Sequence, residues 1–104
     1  GDTGFCDVFA ALRSRFERVR LALLPIGAYE PEWFMGPVHM TPEQAVEAHE
    51  ILGAATSMGI HFGTFALADD GETAPVERLQ RALASRKDQT RFWTLSEGEG
   101  RLVP

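Results

Sequence analysis

Asp2, His39 and His61 are the residues whose types and positions could do chemistry. Asp2 stands in Gly1-Asp2-Thr3-Gly4, where flanking glycines let the backbone bend sharply and leave the carboxylate projecting from a strand end, the usual place for a site in α/β folds. The same side chain could instead cap the helix that follows, since Asx turns are common. His61 closes an apolar run just before Gly63 and Thr64, again at a strand terminus. Imidazole is the commonest metal ligand type, yet a single histidine is more often structural. His39 precedes a helix start, whereas His49 falls inside that helix and reads as a packed or surface residue. Cys6, beside Phe5 and near Val8, reads as a small buried hydrophobe without a role. The sequence contains no Gly-rich phosphate cradle, cysteine pair, His-Glu-x-x-His or Gly-x-Ser-x-Gly, which removes the common nucleotide, zinc-finger, zincin and serine-hydrolase signatures.

The elements that must position these side chains follow from periodicity. Phe5, Val8, Phe9, Leu12 and Phe16 recur at helical spacing with Arg13, Arg15 and Glu17 between them, which predicts an amphipathic helix with those five residues on its buried face. Residues 21–26 form an apolar run closed by Pro25 and Gly27, too short for a helix, and read as a strand buried on both faces. Residues 27–40 hold two prolines and two glycines among aromatics and read as a loop with an apolar lining. Thr41, Pro42 and Gln44 announce a helix: Thr41 can cap, Pro42 suits the first turn, and Gln44 can reach back as in a capping box. Ala45, Val46, His49 and Leu52 share one face of that helix, and Gly53 is its stop. A short strand over 57–62, a loop over 66–73, a helix over 75–85 and a last strand over 92–95 complete an alternation of helices and strands, an α/β architecture. The opening turn GDTG has no strand before it, although alternating α/β units normally begin with one.

The 104 residues carry 10 basic and 15 acidic side chains, a formal charge of −5, with 44% hydrophobic residues, which fits one soluble globular domain and excludes disorder. The acidic balance argues against nucleic acid as a partner, because phosphate-backbone binding rests on clustered Lys and Arg. No run approaches the roughly 20 apolar residues of a membrane span, and the first residues lack the basic start and apolar block of a signal peptide. The single cysteine cannot form an internal disulfide, which suits a reducing compartment. A cytoplasmic location, with or without membrane association, is therefore the expectation.

Taken in order, GDTG at 1–4, ALLPIGAYEPEWFM at 22–35, HMTPEQAVEAH at 39–49 and SMGIHFGTFALADD at 57–70 resemble the C-terminal half of metallo-β-lactamase-fold hydrolases. The resemblance is to the branch containing N-acyl-phosphatidylethanolamine-hydrolysing phospholipase D and its bacterial RomA-like relatives. It implies half of an αββα sandwich, with Asp2 bridging two zinc ions, His61 ligating one of them, and His39 contacting the substrate phosphate. Phe62 stands where the relatives more often have Trp. The resemblance further implies a phosphodiesterase acting on N-acyl-phosphatidylethanolamine-like lipids, in which zinc lowers the pKa of a bound water for attack on phosphorus. Lactones, amides or thioesters are the alternative substrates, because a fold does not fix its chemistry. A self-associating domain without catalysis is the third reading.

The family's His-x-His-x-Asp-His run, which supplies most of the metal ligands, does not occur in these residues. Residues 1–104 are thus expected to be a single domain, a C-terminal fragment of a longer zinc hydrolase, that binds zinc weakly, lacks turnover and needs the missing N-terminal half. Trp33, Phe34 and Met35 are expected either to line an apolar pocket or to be plain core. The apolar strands suggest a homo-oligomer, and Asp2 and His61 should meet at one sheet edge.

Overall fold

The computed structural model describes residues 1–86 and 90–104. Its elements are α1 (Val8–Arg15), β1 (Ala22–Pro25), α2 (Glu32–Met35), α3 (Pro42–Leu52), β2 (Ser57–Ile60), α4 (Ala74–Ala84) and β3 (Phe92–Trp93). The strands form one parallel sheet in the order β1-β2-β3, with Ala22 opposite Ser57, Pro25 opposite Ile60 and Met58 opposite Trp93. Parallel neighbours need crossovers, and α3 and α4 provide them. The helix-strand alternation expected from periodicity is therefore present.

Helix α3 is the centre of the packing, in contact with α1, α4 and β1. Its start is fixed locally. Thr41 Oγ1 accepts from the Gln44 backbone N–H at 3.2 Å, and Gln44 Oε1 accepts from the Thr41 N–H at 2.9 Å, which satisfies two otherwise orphan donors. Its end is Gly53 at φ +59°, a left-handed turn that glycine adopts without Cβ strain. Val46 and Leu52 join Leu24, Ile26, Leu79 and Phe92 in a single core. His49 also lies inside, its Nδ1 2.8 Å from Ser57 Oγ on β2.

Several expectations need correction. The short helix α2 interrupts the segment read as loop, with the Phe34 and Met35 N–H groups donating to the Pro31 carbonyl. The first helix begins at Val8, and of its apolar residues only Phe9 is buried: Val8, Leu12 and Phe16 are 45, 37 and 50% exposed. The Cys6 side chain precedes that helix and is exposed, so it is no core residue. Strand β1 is only partly covered on its second face, since Leu23 is 52% exposed between buried Ala22 and Leu24, whereas Pro25 on the side of Leu23 is buried. The physical reason is the period of two: Leu23 points away from the face where Leu24 meets the α3 core. Its register partners carry an apolar row across the sheet, from Leu23 to Met58 to Trp93.

Burial holds the His49 imidazole below its ordinary pKa, because desolvation disfavours the charged ring; the Glu50 carboxylate offsets part of this. The folded ring therefore stays neutral where the unfolded one, with a pKa of about 6.5, takes up a proton. Stability should fall as pH drops through that value toward the lower folded one. Urea unfolding between pH 7.5 and 5 should show this decline, and His49→Gln should flatten it; an unchanged slope in the variant would refute the assignment.

Candidate metal centre

The parallel pair β1–β2 delivers the site. Beyond the ladder the Ile26 N–H still donates to the Ile60 carbonyl at 3.0 Å, after which both chains turn sharply. Ala28 and His61 each sit at φ +64°, a left-handed conformation that disfavours residues with a Cβ by roughly 1–2 kcal/mol. Between them, Gly27 lies so close to the His61 backbone that a Cβ there would come within 2.1 Å of the His61 carbonyl oxygen. Only glycine permits that approach, and it sets where the His61 side chain emerges.

His39 arrives from the other side. The helix α2 carbonyl of Met35 accepts from the Val38 and His39 N–H groups at 3.0 and 2.8 Å, which turns the chain toward the capped start of α3. The N-terminal turn then folds against this corner, since a Cβ on Gly4 would lie 2.5 Å from the Pro37 carbonyl oxygen. Asp2 is brought into place by that contact.

The result is a cluster that the sequence only half anticipated. Asp2 Oδ2 stands 3.1 Å from His39 Nε2 and 4.0 Å from His61 Nε2, and the two imidazoles stack with centroids 5.3 Å apart. Potential ligand atoms of these three residues all lie within 4.8 Å of one another. Two atoms bound to one zinc ion at roughly 2.0–2.2 Å can be at most about 4.4 Å apart, a limit that both Asp2 approaches already meet. The Asp2 side chain is half exposed while those of His39 and His61 are mostly buried. One carboxylate and two imidazoles at a partly open corner suit a divalent cation. The structure thus brings Asp2 and His61 together as expected and adds His39, which the sequence reading had assigned to substrate, within ligand reach of the same carboxylate.

Two further features escaped the sequence reading. The Nδ1 atoms of His39 and His61 are buried and find no hydrogen-bond partner among the described residues, which leaves packing and backbone to orient these rings. Arg78 on α4 grips Glu43 on α3 with two hydrogen bonds of 3.0 and 2.8 Å, and its guanidinium sits 4.5 Å over the Tyr29 ring. Burial pushes the Glu43 carboxyl up, but Arg78 outweighs it and holds the group below the usual carboxylate range. No local signal marks Arg78, because its partners lie 35 and 48 residues away.

Phe62 packs against the core beside His61. Trp33 and Phe34 are 84 and 65% exposed, so these two are not the plain core that was one expectation. A separate cavity of about 270 Å³ adjoins His61, lined also by Ala28, Phe65, Leu67 and Asp70.

Comparison with known proteins gives this geometry its context. N-acyl-phosphatidylethanolamine-hydrolyzing phospholipase D 1 of Caenorhabditis elegans is 42% identical over 103 residues, covering 95% of this chain and 29% of the worm protein. The mitochondrial protein of the same name from Saccharomyces cerevisiae is 39% identical over 82 residues, 77% of this chain and 18% of its own. A metal-dependent hydrolase of Nitratidesulfovibrio vulgaris is 32% identical over 99 residues, 95% of this chain and 36% of its own. The chain thus spans less than two-fifths of the length of each of these relatives. The family model of the beta-lactamase superfamily domain matches residues 1–62, the stretch that contains Asp2, His39 and His61. The chain therefore belongs to the beta-lactamase superfamily domain family, among hydrolases of the metallo-β-lactamase fold.

Proposed function

We propose that residues 1–104 are the C-terminal part of a zinc-dependent phosphodiesterase of the phospholipase D type, acting on N-acyl-phosphatidylethanolamine-like lipids, and that Asp2, His39 and His61 form its share of the metal centre. The convergence of both imidazoles on the Asp2 carboxylate carries this reading. Support for the substrate class comes from the names of the worm and yeast relatives. Support for zinc comes from the donor set, since imidazole nitrogen and carboxylate oxygen are its usual ligands, and catalytic sites commonly use three from the protein. When bound, the metal supplies Lewis-acid stabilisation of charge developing on a phosphoryl oxygen and lowers the pKa of water.

The chain's own residues have separable tasks. Asp2 supplies the negative charge that draws a cation to the corner, and its exposed side faces the solvent from which substrate arrives. His61, fixed by its backbone, provides a rigid ligand. His39, 3.1 Å from Asp2, either completes the ligand set or turns to meet the substrate phosphate. The chain by itself does not turn over phosphodiesters in this reading, because the His-rich run of the family supplies the remaining ligands. A change of scissile bond to lactone, amide or thioester would leave the same residues in place.

Isothermal titration should find one zinc site per chain. Removing even a supporting hydrogen bond around a metal weakens it about 10- to 100-fold, so Asp2→Ala and His61→Ala should each weaken binding at least that much. Zinc binding indifferent to both substitutions would refute the metal reading. A chromogenic bis-phosphodiester should not be hydrolysed; turnover abolished by Asp2→Ala would contradict the proposed inactivity of the isolated chain. The row Leu23, Met58 and Trp93 leads us to expect self-association through the sheet face. Sedimentation at micromolar concentration should show a dimer or larger species that Leu23→Glu disperses, and a monomer at those concentrations would contradict it.

A further inference from the structure

The geometry points to Asp70 as the positioning residue that holds His61 in its ligating geometry, acting through the Ala28–Glu30 turn. The inference rests on the metal reading above, but its first link is independent of any ion.

Among the described residues His61 finds no hydrogen-bond partner at Nδ1, so its ring direction is left to its backbone and to the stacked His39 ring. That backbone is in contact with Gly27, the residue just before the left-handed Ala28. An alanine at φ +64° relaxes to negative φ unless something holds it, and any relaxation there moves Gly27 against the His61 carbonyl. Asp70 supplies the hold. Its Oδ2 accepts from the Ala28 N–H at 3.1 Å and its Oδ1 from the Glu30 N–H at 3.5 Å, so one carboxylate bridges both sides of the turn. The neighbouring Asp69 N–H donates to the Glu30 carbonyl at 3.2 Å and extends the clamp. Carboxylate bonds to backbone N–H groups are among the stronger neutral-donor hydrogen bonds, which suits a clamp opposing local strain. Asp70 lines the same cavity as Ala28 and His61 but makes no contact that would place it among the metal ligands.

The clamp also links two distant segments. Asp70 follows β2 and its loop, whereas Ala28 follows β1, 42 residues earlier. The bridge thus ties the exit of β1 to the segment that follows β2, beside the point where His61 leaves the sheet.

The test uses the whole 104-residue chain with Asp70→Ala and Asp70→Asn. The asparagine keeps one acceptor oxygen for the shorter bond to Ala28; the alanine keeps none. In the metal-free chain, the His61 ring signals in nitrogen-detected NMR should move in Asp70→Ala, while those of buried His49 stay put. With zinc chloride at a temperature where both chains are folded, Asp70→Ala should bind about tenfold more weakly, and Asp70→Asn should recover most of that loss. Unmoved His61 signals together with unaltered zinc affinity in Asp70→Ala would overturn the inference. Should zinc bind the unsubstituted chain indifferently to Asp2→Ala, the metal reading falls, and the metal-free His61 signals alone decide: movement supports the clamp, and none overturns it. If Asp70→Ala does not fold, Asp70→Asn carries the same comparison, with a smaller His61 displacement expected and none at all contradicting the role.

Discussion

Everything at the candidate site depends on how closely two parallel strand exits can approach. Gly27 lies against the His61 carbonyl with no room for a methyl group, and that contact aligns the end of β1 with the end of β2. Parallel sheets gather their functional groups at the carboxyl ends of the strands, and here the crowding has a visible conformational consequence. Ala28 and His61 both adopt positive φ, a local strain that the surrounding hydrogen bonds must outweigh. Strain of this kind is common where a side chain has to be presented in one direction only, and among the described residues the Nδ1 of His61 has no hydrogen-bond partner.

The rest of the fold serves that corner. The core under α3 anchors β1 through Leu24, Ile26 and Val46, His49 reaches β2 at Ser57, and the capping box at Thr41 fixes where the chain leaves His39. Arg78 fastens α4 to α3 through Glu43 and covers Tyr29 at the base of the same turn. Exposed carboxylate-guanidinium pairs contribute little alone, but this one is bidentate, and Glu30 stands a further 3.5 Å from Arg78. The candidate corner is thus mounted on packed, hydrogen-bonded elements, and Asp2 is brought to it by the fit of Gly4 against Pro37.

What could be read from the sequence was what depends on near neighbours. The capping box, the glycine stop at Gly53 and the apolar periods of α3 and α4 are all local signals, and they gave those helices correctly. His61 could be placed at a strand end for the same reason, whereas Asp2 follows no strand in the structure and was joined to His61 by the family resemblance. The failures are of the opposite kind. Burial of the α1 face and of Leu23 requires a partner surface, which periodicity reports as a demand and not as a fact. Cys6 followed the same misreading. Asp70 was invisible because nothing in Ala68-Asp69-Asp70 says that its carboxylate will meet backbone N–H groups 40 and 42 residues earlier. His39 was found as a residue but not as a neighbour of Asp2, since the turn made by α2 was read as loop.

The most direct test is to locate the ion. Crystals of the chain grown with zinc and recorded at the zinc absorption edge should show an anomalous peak about 2.0–2.2 Å from a carboxylate oxygen of Asp2 and a ring nitrogen of His61, with His39 beside it. A peak bound elsewhere, with Asp2 and His61 turned away from each other, would contradict the metal centre described above.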